Sequence, residues 1–425
     1  MAGLILAAPA SGSGKTTITL GLLRALRDQN VPALSAKSGP DYIDPRFHEA
    51  ASGAPCPNLD AWAMTPERLR QLAQTPPEVP LIVEGAMGLF DGAPPDGRGA
   101  SADLARILGL PVVLVVDCAR MAGSVAAVVA GFANHDTQVH IGGVILNRIG
   151  SARHEAMLRR ALGPLGLPIL GAVPRSSAIE LPSRHLGLVQ AEEQSDLEAF
   201  LRAASQTMAA HLDIPGLLAL AHTAAPIPAP ARQTQRPPGQ VIAIAQDRAF
   251  RFAYPHLLRD WQDAGATLRL FSPLADDAVP EADLIYLPGG YPELHADALA
   301  QSSRFMQSLR NAAQDTDIYG ECGGYMLLGD SLTDAAGETH RMAGLLRLRT
   351  SFAQRKLHLG YRTLHASAGP FSGAWNGHEF HYATTLSADG PPLFSAHDAE
   401  GTALPPMGLR QGRTCGSFAH LIDKA

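Results

Sequence analysis

Cysteine is scarce in this chain of 425 residues: Cys56, Cys118, Cys322 and Cys415 are the only four, and they stand far apart. No two have metal-ligand spacing, and so few thiols exclude a disulfide-stapled scaffold, so free thiols in a reducing compartment are expected. Aromatic residues are thin at 6%, and no uninterrupted apolar run reaches the ~20 residues of a membrane helix. Positive charge is lacking too, with a net charge of −6, which argues against bulk nucleic-acid binding. The opening Met1-Ala2-Gly3-Leu4-Ile5 has no charged region of the kind that starts a signal peptide. The expectation is a cytoplasmic protein with neither a membrane nor a nucleic acid as partner. What is present is ordinary globular composition, 46% hydrophobic and 17% charged, in a chain long enough for about two or three domains.

The apolar runs Leu4–Ala8, Ala33–Lys37, Leu81–Glu84, Val112–Asp117, Ile141–Asn147 and Ile169–Val173 alternate with helical patterns at Thr16–Asp28, Ala102–Leu108, Ser124–Ala133, Arg153–Leu162 and Asp196–His211. Continuous Val/Ile/Leu strands joined by helices predict a parallel sheet covered on both faces. A proline-rich stretch from His222 to Pro238 has no periodicity and reads as a semi-extended linker. A second α/β pattern follows, with strands at Val241–Ala245, Thr267–Phe271, Leu284–Leu287 and Ile318–Gly320, helices at Tyr254–Gly265 and Ser303–Ala313, and short strands beyond about residue 340. The expected domains are 1–221, a linker over 222–239, and 240–425.

The first domain carries a phosphate cradle. Between strand Leu4–Ala8 and the next helix sits a Gly/Ser turn ending in Gly14-Lys15-Thr16-Thr17. In such a turn the backbone N–H groups of Ser11, Gly12, Ser13 and Gly14 ring phosphates at a helix N-terminus. Lys15 reaches the β- and γ-phosphates, and Thr16 holds Mg²⁺. Pro9 replaces the usual first glycine, so a variant loop is expected. The second strand leads into Lys37-Ser38-Gly39-Pro40-Asp41-Tyr42-Ile43-Asp44-Pro45-Arg46-Phe47-His48. This segment reads either as a polar turn capping a helix or as ligand-binding residues at the carboxyl end of a parallel strand. Glu84 ends a third strand, where an acid helps to hold Mg²⁺ or its water shell.

The second domain carries a nucleophile. In Ile318-Tyr319-Gly320-Glu321-Cys322-Gly323-Gly324-Tyr325-Met326 a strand runs into a helix with cysteine at the turn. Flanking glycines allow the strained elbow that pushes a nucleophile out and frees N–H groups for an oxyanion. Gly323 is one expected donor, and Gly290 in Pro288-Gly289-Gly290 is the other. The helix N-terminus is expected to lower the thiol pKa, and His420 is the expected base. His378, His381 and His420 lack the acid or cysteine pattern that would make them a zinc site.

On these residues, 240–425 resembles a class I glutamine amidotransferase domain of the corrinoid subtype. There the elbow cysteine forms a glutamyl thioester and releases ammonia; Cys322 and His420 match nucleophile and base. Many members carry a glutamate two residues beyond the histidine. Here that place is Ile422, and Asp423 is the nearest downstream acid. The first half is similar to dethiobiotin synthetase, which implies that Asn147, after a strand, reads adenine. Relatives that partition DNA carry a lysine at the position of Ala10, absent here.

The whole chain resembles the corrinoid a,c-diamide synthases, through the phosphate loop, the Lys37–His48 and Glu84–Gly92 segments, Leu146-Asn147-Arg148 and His378-Glu379-Phe380-His381-Tyr382. The resemblance implies two α/β domains, with ATP, Mg²⁺, glutamine and a corrin macrocycle as ligands. ATP would convert the a and c acetate carboxylates to acyl phosphates, which ammonia displaces, in cobalamin (vitamin B12) biosynthesis. Asp41, Tyr42 and Asp44 would line the carboxylate–γ-phosphate junction, and Thr16, Asp41 and Glu84 the metal; which of Asp41 and Asp44 binds metal stays open. Homodimeric assembly is also open, as is a cobalt-free or cobalt-bearing ring. Competing readings are an amidase of another macrocycle or of later corrin carboxylates, and a nucleotide switch with an inactive amidotransferase fold.

Overall fold

The computed structural model describes residues 2–180, 183–184, 187–188, 196–223 and 235–425. They form two compact units, Met1–Arg232 and Gln233–Ala425. Most of the stretch expected as a linker, 224–234, lies outside the described residues.

The first unit runs β1 (Gly3–Ala7), α1 (Lys15–Asp28), β2 (Leu34–Ser38), α2 (Asp44–Ser52), β3 (Asn58–Leu59), α3 (Pro66–Leu72), β4 (Leu81–Glu84), α4 (Ser101–Leu108), β5 (Val112–Asp117), α5 (Ser124–His135), β6 (Ile141–Ile149), α6 (Ala152–Leu162) and β7 (Ile169–Pro174). The short β8 (Ser183–Arg184) and β9 (Gly187–Leu188) pair with each other, and α7 (Leu197–His211) and α8 (Ile214–Ala221) close the unit. Its seven-stranded sheet has the order β3-β2-β4-β1-β5-β6-β7, and its neighbours are parallel. β1 is buried along its length, as a strand covered by helices on both faces must be. The chain leaves β1 to build β2 and β3, returns to place β4 beside β1, and then crosses to β5. That reversal falls between β1 and β4, and in such sheets ligands bind at the carboxyl ends of the strands where the order reverses.

The second unit runs β10 (Val241–Ala245), α9 (Pro255–Asp263), β11 (Thr267–Phe271), β12 (Leu284–Leu287), α10 (Ala296–Gln301), α11 (Ser303–Ala312), β13 (Asp317–Glu321) and α12 (Gly323–Leu328). Short strands follow: β14 (Ser331–Thr333), β15 (Thr339–Arg341), β16 (Leu348–Ser351), β17 (His358–Ala366), β18 (Gly373–His381), β19 (Thr384–Ala388), β20 (Phe394–His397), β21 (Ala403–Met407), β22 (Leu409–Gln411), β23 (Thr414–Ser417) and β24 (Ala419–Lys424). A six-stranded sheet, β11-β10-β12-β13-β23-β22, is parallel apart from its β22 edge. Two further sheets, β15-β14-β16-β19 and β21-β20-β17-β18-β24, are mostly antiparallel. Every residue of α12 is buried, which anchors the turn before it. Among the described residues no helix is long and apolar enough to cross a membrane.

Two candidate active sites

The first site gathers at the carboxyl ends of β1, β2 and β4. The loop after β1 bends through Gly12 (φ 78°) and Gly14 (φ 89°), and Ser13 Oγ donates to the Ala10 carbonyl at 2.8 Å. Gly14 has no room for a side chain, since a Cβ there would lie 2.2 Å from Asn147 Nδ2. α1 then starts with no capping side chain and no acid in its first turn. Its leading N–H groups therefore face outward at the positive end of the helix dipole, a ready anion site. Ser11 and Gly12 are exposed, Thr16 and Thr17 half-buried, and Ser13 and Lys15 buried. Lys15 Nζ rests on the Met87 carbonyl. Burial and the neighbouring Lys37 lower its pKa to about 8.

Glu84 lies at the floor, fully buried. The sheet register sets it level with Lys37 of β2 and Leu6 of β1. Its Oε1 accepts from Thr16 Oγ1 at 2.5 Å and Lys37 Nζ at 2.9 Å, and its Oε2 meets His48 Nε2 at 2.7 Å. Lys37 also pairs with Asp44 at 2.6 Å. Burial alone would neutralise such a carboxylate, but Lys37 and His48 hold Glu84 ionised well below the usual carboxylate range. Asp44 and Glu84 in turn keep Lys37 charged despite complete burial. His48 is buried beside Cys56 and Glu84, and those partners raise it to about 10. Asp44 goes the other way, pushed up to about 7 by burial and by Asp41.

The two aspartates of the Asp41–Asp44 segment have different work. Asp41 Oδ1 accepts the N–H groups of Ile43 (2.7 Å) and Asp44 (3.2 Å) and so launches α2. Asp44, at the start of that helix, turns inward to Lys37. Tyr42 is buried. Asn147, near the end of β6, donates from Nδ2 to the Ser13 carbonyl at 2.8 Å, and its Oδ1 accepts from the Arg148 N–H at 2.9 Å. It thus braces the phosphate loop. Lys37 and His48 were not assigned roles from sequence, although both stand in the segment that drew attention.

The second site gathers at the carboxyl ends of β12 and β13 and the start of β24. Cys322 follows β13 with φ 45° and ψ −100°, an unfavourable conformation that costs about 1–3 kcal/mol for a residue with a Cβ. Its N–H donates to Ser417 O at 2.8 Å, the Gly324 N–H donates to Pro288 O at 3.1 Å, and the Cys322 carbonyl accepts from Met326 N at 3.0 Å. These bonds hold the strained turn between β12, β23 and α12. A Cβ on Gly289 would stand 2.2 Å from His420 Cε1 and 3.3 Å from Cys322 Cβ, so one bare Cα adjoins both residues. A Cβ on Gly323 would stand 2.9 Å from Gly290 N. The two expected oxyanion donors therefore lie side by side, next to the cysteine.

The thiol does not behave as expected from sequence. Burial, and then Glu293, push the Cys322 pKa well up, and the Gly323 N–H opposes them only in part. The physical reason is that α12 has six residues and lies in a dry core, where desolvation outweighs a short helix dipole. His420 is fully buried, and burial followed by His378 lowers it to about 3. The imidazole therefore rests neutral. Asp423, three residues beyond His420 and past a bulge in β24, accepts from Gln235 Nε2. The nearby acid is Glu321, with Oε2 3.6 Å from His420 Nδ1, a residue that sequence reasoning passed over. Its position directly before the cysteine was the available signal.

His358, Glu379 and His381 bring possible metal-ligand atoms within 4.8 Å of one another. Arg362 Nη2 already pairs with Glu379 at 2.8 Å, and the rings of His358 and His381 stack 5° from parallel. Their in-plane lone pairs do not converge on one ion. Among the described residues neither His378 nor His420 belongs to such a cluster, so His378, His381 and His420 do not form one.

Comparison with known proteins adds the following. Residues 4–189 match the CobQ/CobB/MinD/ParA nucleotide binding domain family, and residues 241–425 match the CobB/CobQ-like glutamine amidotransferase domain family. A curated protein of Brucella anthropi named hydrogenobyrinate a,c-diamide synthase is 54% identical, covering 100% of this chain and 99% of that protein. Proteins of the same name from Rhizobium meliloti and Rhodobacter capsulatus are each 52% identical, over 100% and 99% of this chain and 99% and 98% of theirs.

Proposed function

This chain belongs to the hydrogenobyrinate a,c-diamide synthase family, and from that premise we propose that it amidates two acetate carboxylates, a and c, of a cobalt-free corrin ring with ATP and glutamine. It is a carbon–nitrogen ligase of cobalamin biosynthesis that draws its nitrogen from glutamine. The observation that carries this reading is full-length identity above one half to such a synthase, in a chain that holds both a phosphate cradle and an elbow cysteine.

In the first site, phosphates lie in the uncapped N-terminus of α1, ringed by the N–H groups of Ser11 to Thr17. Lys15 leaves the Met87 carbonyl for the β- and γ-phosphates. Thr16 and Glu84 would hold Mg²⁺, with Asp41 offering the oxygen not used in its turn; these are hard oxygen donors, and two of them already meet at 2.5 Å. The ion supplies charge neutralisation at the transferring phosphate. Asp44 and Tyr42 position the substrate carboxylate, whose oxygen attacks the γ-phosphorus and expels ADP. Lys37 keeps Asp44 and Glu84 from repelling the incoming anions. Asn147 secures the loop, and its strand end is the place for adenine.

In the second site, Cys322 Sγ attacks the glutamine carboxamide while its proton passes to His420. The Gly290 and Gly323 N–H groups receive the developing oxyanion. Collapse releases ammonia and leaves a glutamyl thioester, which water then hydrolyses to glutamate and free thiol. Ammonia displaces phosphate from the acyl phosphate to give the amide. A homodimer, a cytoplasmic location and the absence of nucleic-acid or membrane partners complete the proposal.

The test is mass spectrometry of products from hydrogenobyrinic acid and from cobyrinic acid, each with ATP, Mg²⁺ and glutamine. Diamide from the cobalt-free ring is the expected result. Diamide from cobyrinic acid alone would move the substrate to the cobalt-bearing ring, and glutamate release without any amidated corrin would overturn the assignment.

A further inference from the structure

We infer that Glu321 is the positioning residue of the glutaminase site, taking the place of the acid that Ile422 cannot supply. This rests on the reading of Cys322 and His420 as nucleophile and base. Ile422 is fully buried and apolar, and Asp423 accepts from Gln235 Nε2. Glu321 reaches the same histidine from another strand. It ends β13, one residue before the nucleophile, and its carboxylate crosses to β24: Oε1 accepts the Leu421 N–H at 3.0 Å, and Oε2 lies 3.6 Å from His420 Nδ1. The Tyr286 hydroxyl, from β12, donates to Oε2 at 2.7 Å. Strand ladder and tyrosine thus aim one buried oxygen at the back of the imidazole.

The chemistry asks for such a group. When Cys322 attacks, its proton moves to His420 and a cation appears at a site with no solvent exposure. An unpaired buried cation is strongly disfavoured, and a carboxylate on Nδ1 stabilises it and fixes the ring, the task of the acid in any nucleophile–histidine–acid arrangement. Of the other acids near Cys322, Glu379 is committed to Arg362 and His381, and Glu293 bears on the thiol. Also around the pair are the Phe252 backbone, hydrogen-bonded to His420, the Tyr254 ring against His420, the Tyr319 side chain beside Glu321, and His378 and His381 on β18. Glu321 itself is raised to about 7, chiefly by burial. It is therefore half ionised near neutrality, and the active form is present above that pH.

The experiment measures glutamate release from glutamine by the full chain, for wild type, Glu321→Gln and Glu321→Asp, between pH 5.5 and 9. Glutamine keeps the volume and an oxygen for the Leu421 N–H. Expected for Glu321→Gln is a kcat lower by about 100-fold or more, with KM little changed and no rise of rate through pH 7. Glu321→Asp is expected to restore part of kcat and the pH limb. The thermal midpoint is expected to stay at or above wild type for Glu321→Gln, because a desolvated acid is removed. Wild-type kcat in Glu321→Gln would overturn the inference, as would a pH limb that survives the substitution or a loss accompanied by a lower thermal midpoint that Glu321→Asp does not rescue. A wild-type chain that releases no glutamate would instead overturn the reading of Cys322 and His420.

Discussion

The two units bury ionisable groups in opposite states. Around Glu84 the charges are already present: Lys37 and His48 are cationic, Glu84 is anionic, and the carboxylate pairs with the two cations at 2.9 and 2.7 Å. Around Cys322 the nucleophile and base are neutral, with the thiol pushed up and His420 down to about 3, and Glu321, raised to about 7, is only half ionised. The difference follows from the chemistry each site faces. A polyanion and its metal arrive charged, so the first site is preset with balanced ions that need no reorganisation. The thiolate and imidazolium exist only during the reaction, so the nucleophile and base of the second site rest neutral and find their partners in fixed backbone N–H groups and one carboxylate.

That contrast yields tests that separate the units. The largest effect is expected at Lys15. Lys15→Ala removes the cation that meets the γ-phosphate, and amidation should fall by on the order of 100- to 1,000-fold with glutamine and with ammonia alike. Diamide formation at full rate from ammonia would show that the loop does not serve phosphate transfer.

Gly289→Ala should strike the other unit alone. The new Cβ would fall 2.2 Å from His420 Cε1, and a displacement near 1 Å costs about 100-fold in a positioned site. Glutamate release should drop accordingly while ammonia-dependent amidation persists. If glutamate release is unchanged, His420 is not where the reaction needs it.

A smaller effect is expected at Asp44, which is raised to about 7 and so ionises as pH rises through neutrality. Amidation with ammonia, normalised to the free base, should rise across pH 7 in wild type and lie about 10-fold lower and flat in Asp44→Asn, a range usual for one positioning or general-base group. Full activity in that variant would leave the whole segment with the helix-launching role that Asp41 plays.

The smallest effect concerns stability. His48 has its pKa raised to about 10 in the folded chain, above the ordinary ~6.5. Its contribution is complete below about 6.5 and is lost as pH rises toward 10. The thermal midpoint should decline over that window, and His48→Gln should flatten the decline. An unchanged slope would remove the charge from His48.

Much of this was legible in the residues. The phosphate loop, Glu84 and the elbow cysteine sit at strand ends, and continuous apolar runs announce those strands, so both parallel sheets and their carboxyl-end loops could be placed. The pairings were not legible, because they join elements far apart in the chain. Glu84 meets Lys37 across 47 positions and His48 across 36, and Glu321 reaches the Leu421 N–H across 100. Downstream of His420 in sequence stand the apolar Ile422, and Asp423, which accepts from Gln235, whereas Glu321 comes from another strand. The thiol expectation failed for a related reason: burial of Cys322 is a property of the packed core, and no local motif encodes it. Asp41 and Asp44 looked equivalent until the turn geometry separated them.

The most direct test of two separable chemistries is Cys322→Ala, with diamide followed by mass spectrometry from glutamine and from ammonia. The account predicts no diamide from glutamine, since no thioester forms, and a wild-type rate from ammonia, because the charged cluster around Glu84 is untouched. Diamide from glutamine at the wild-type rate, or loss of ammonia-dependent amidation in a folded variant, would contradict it.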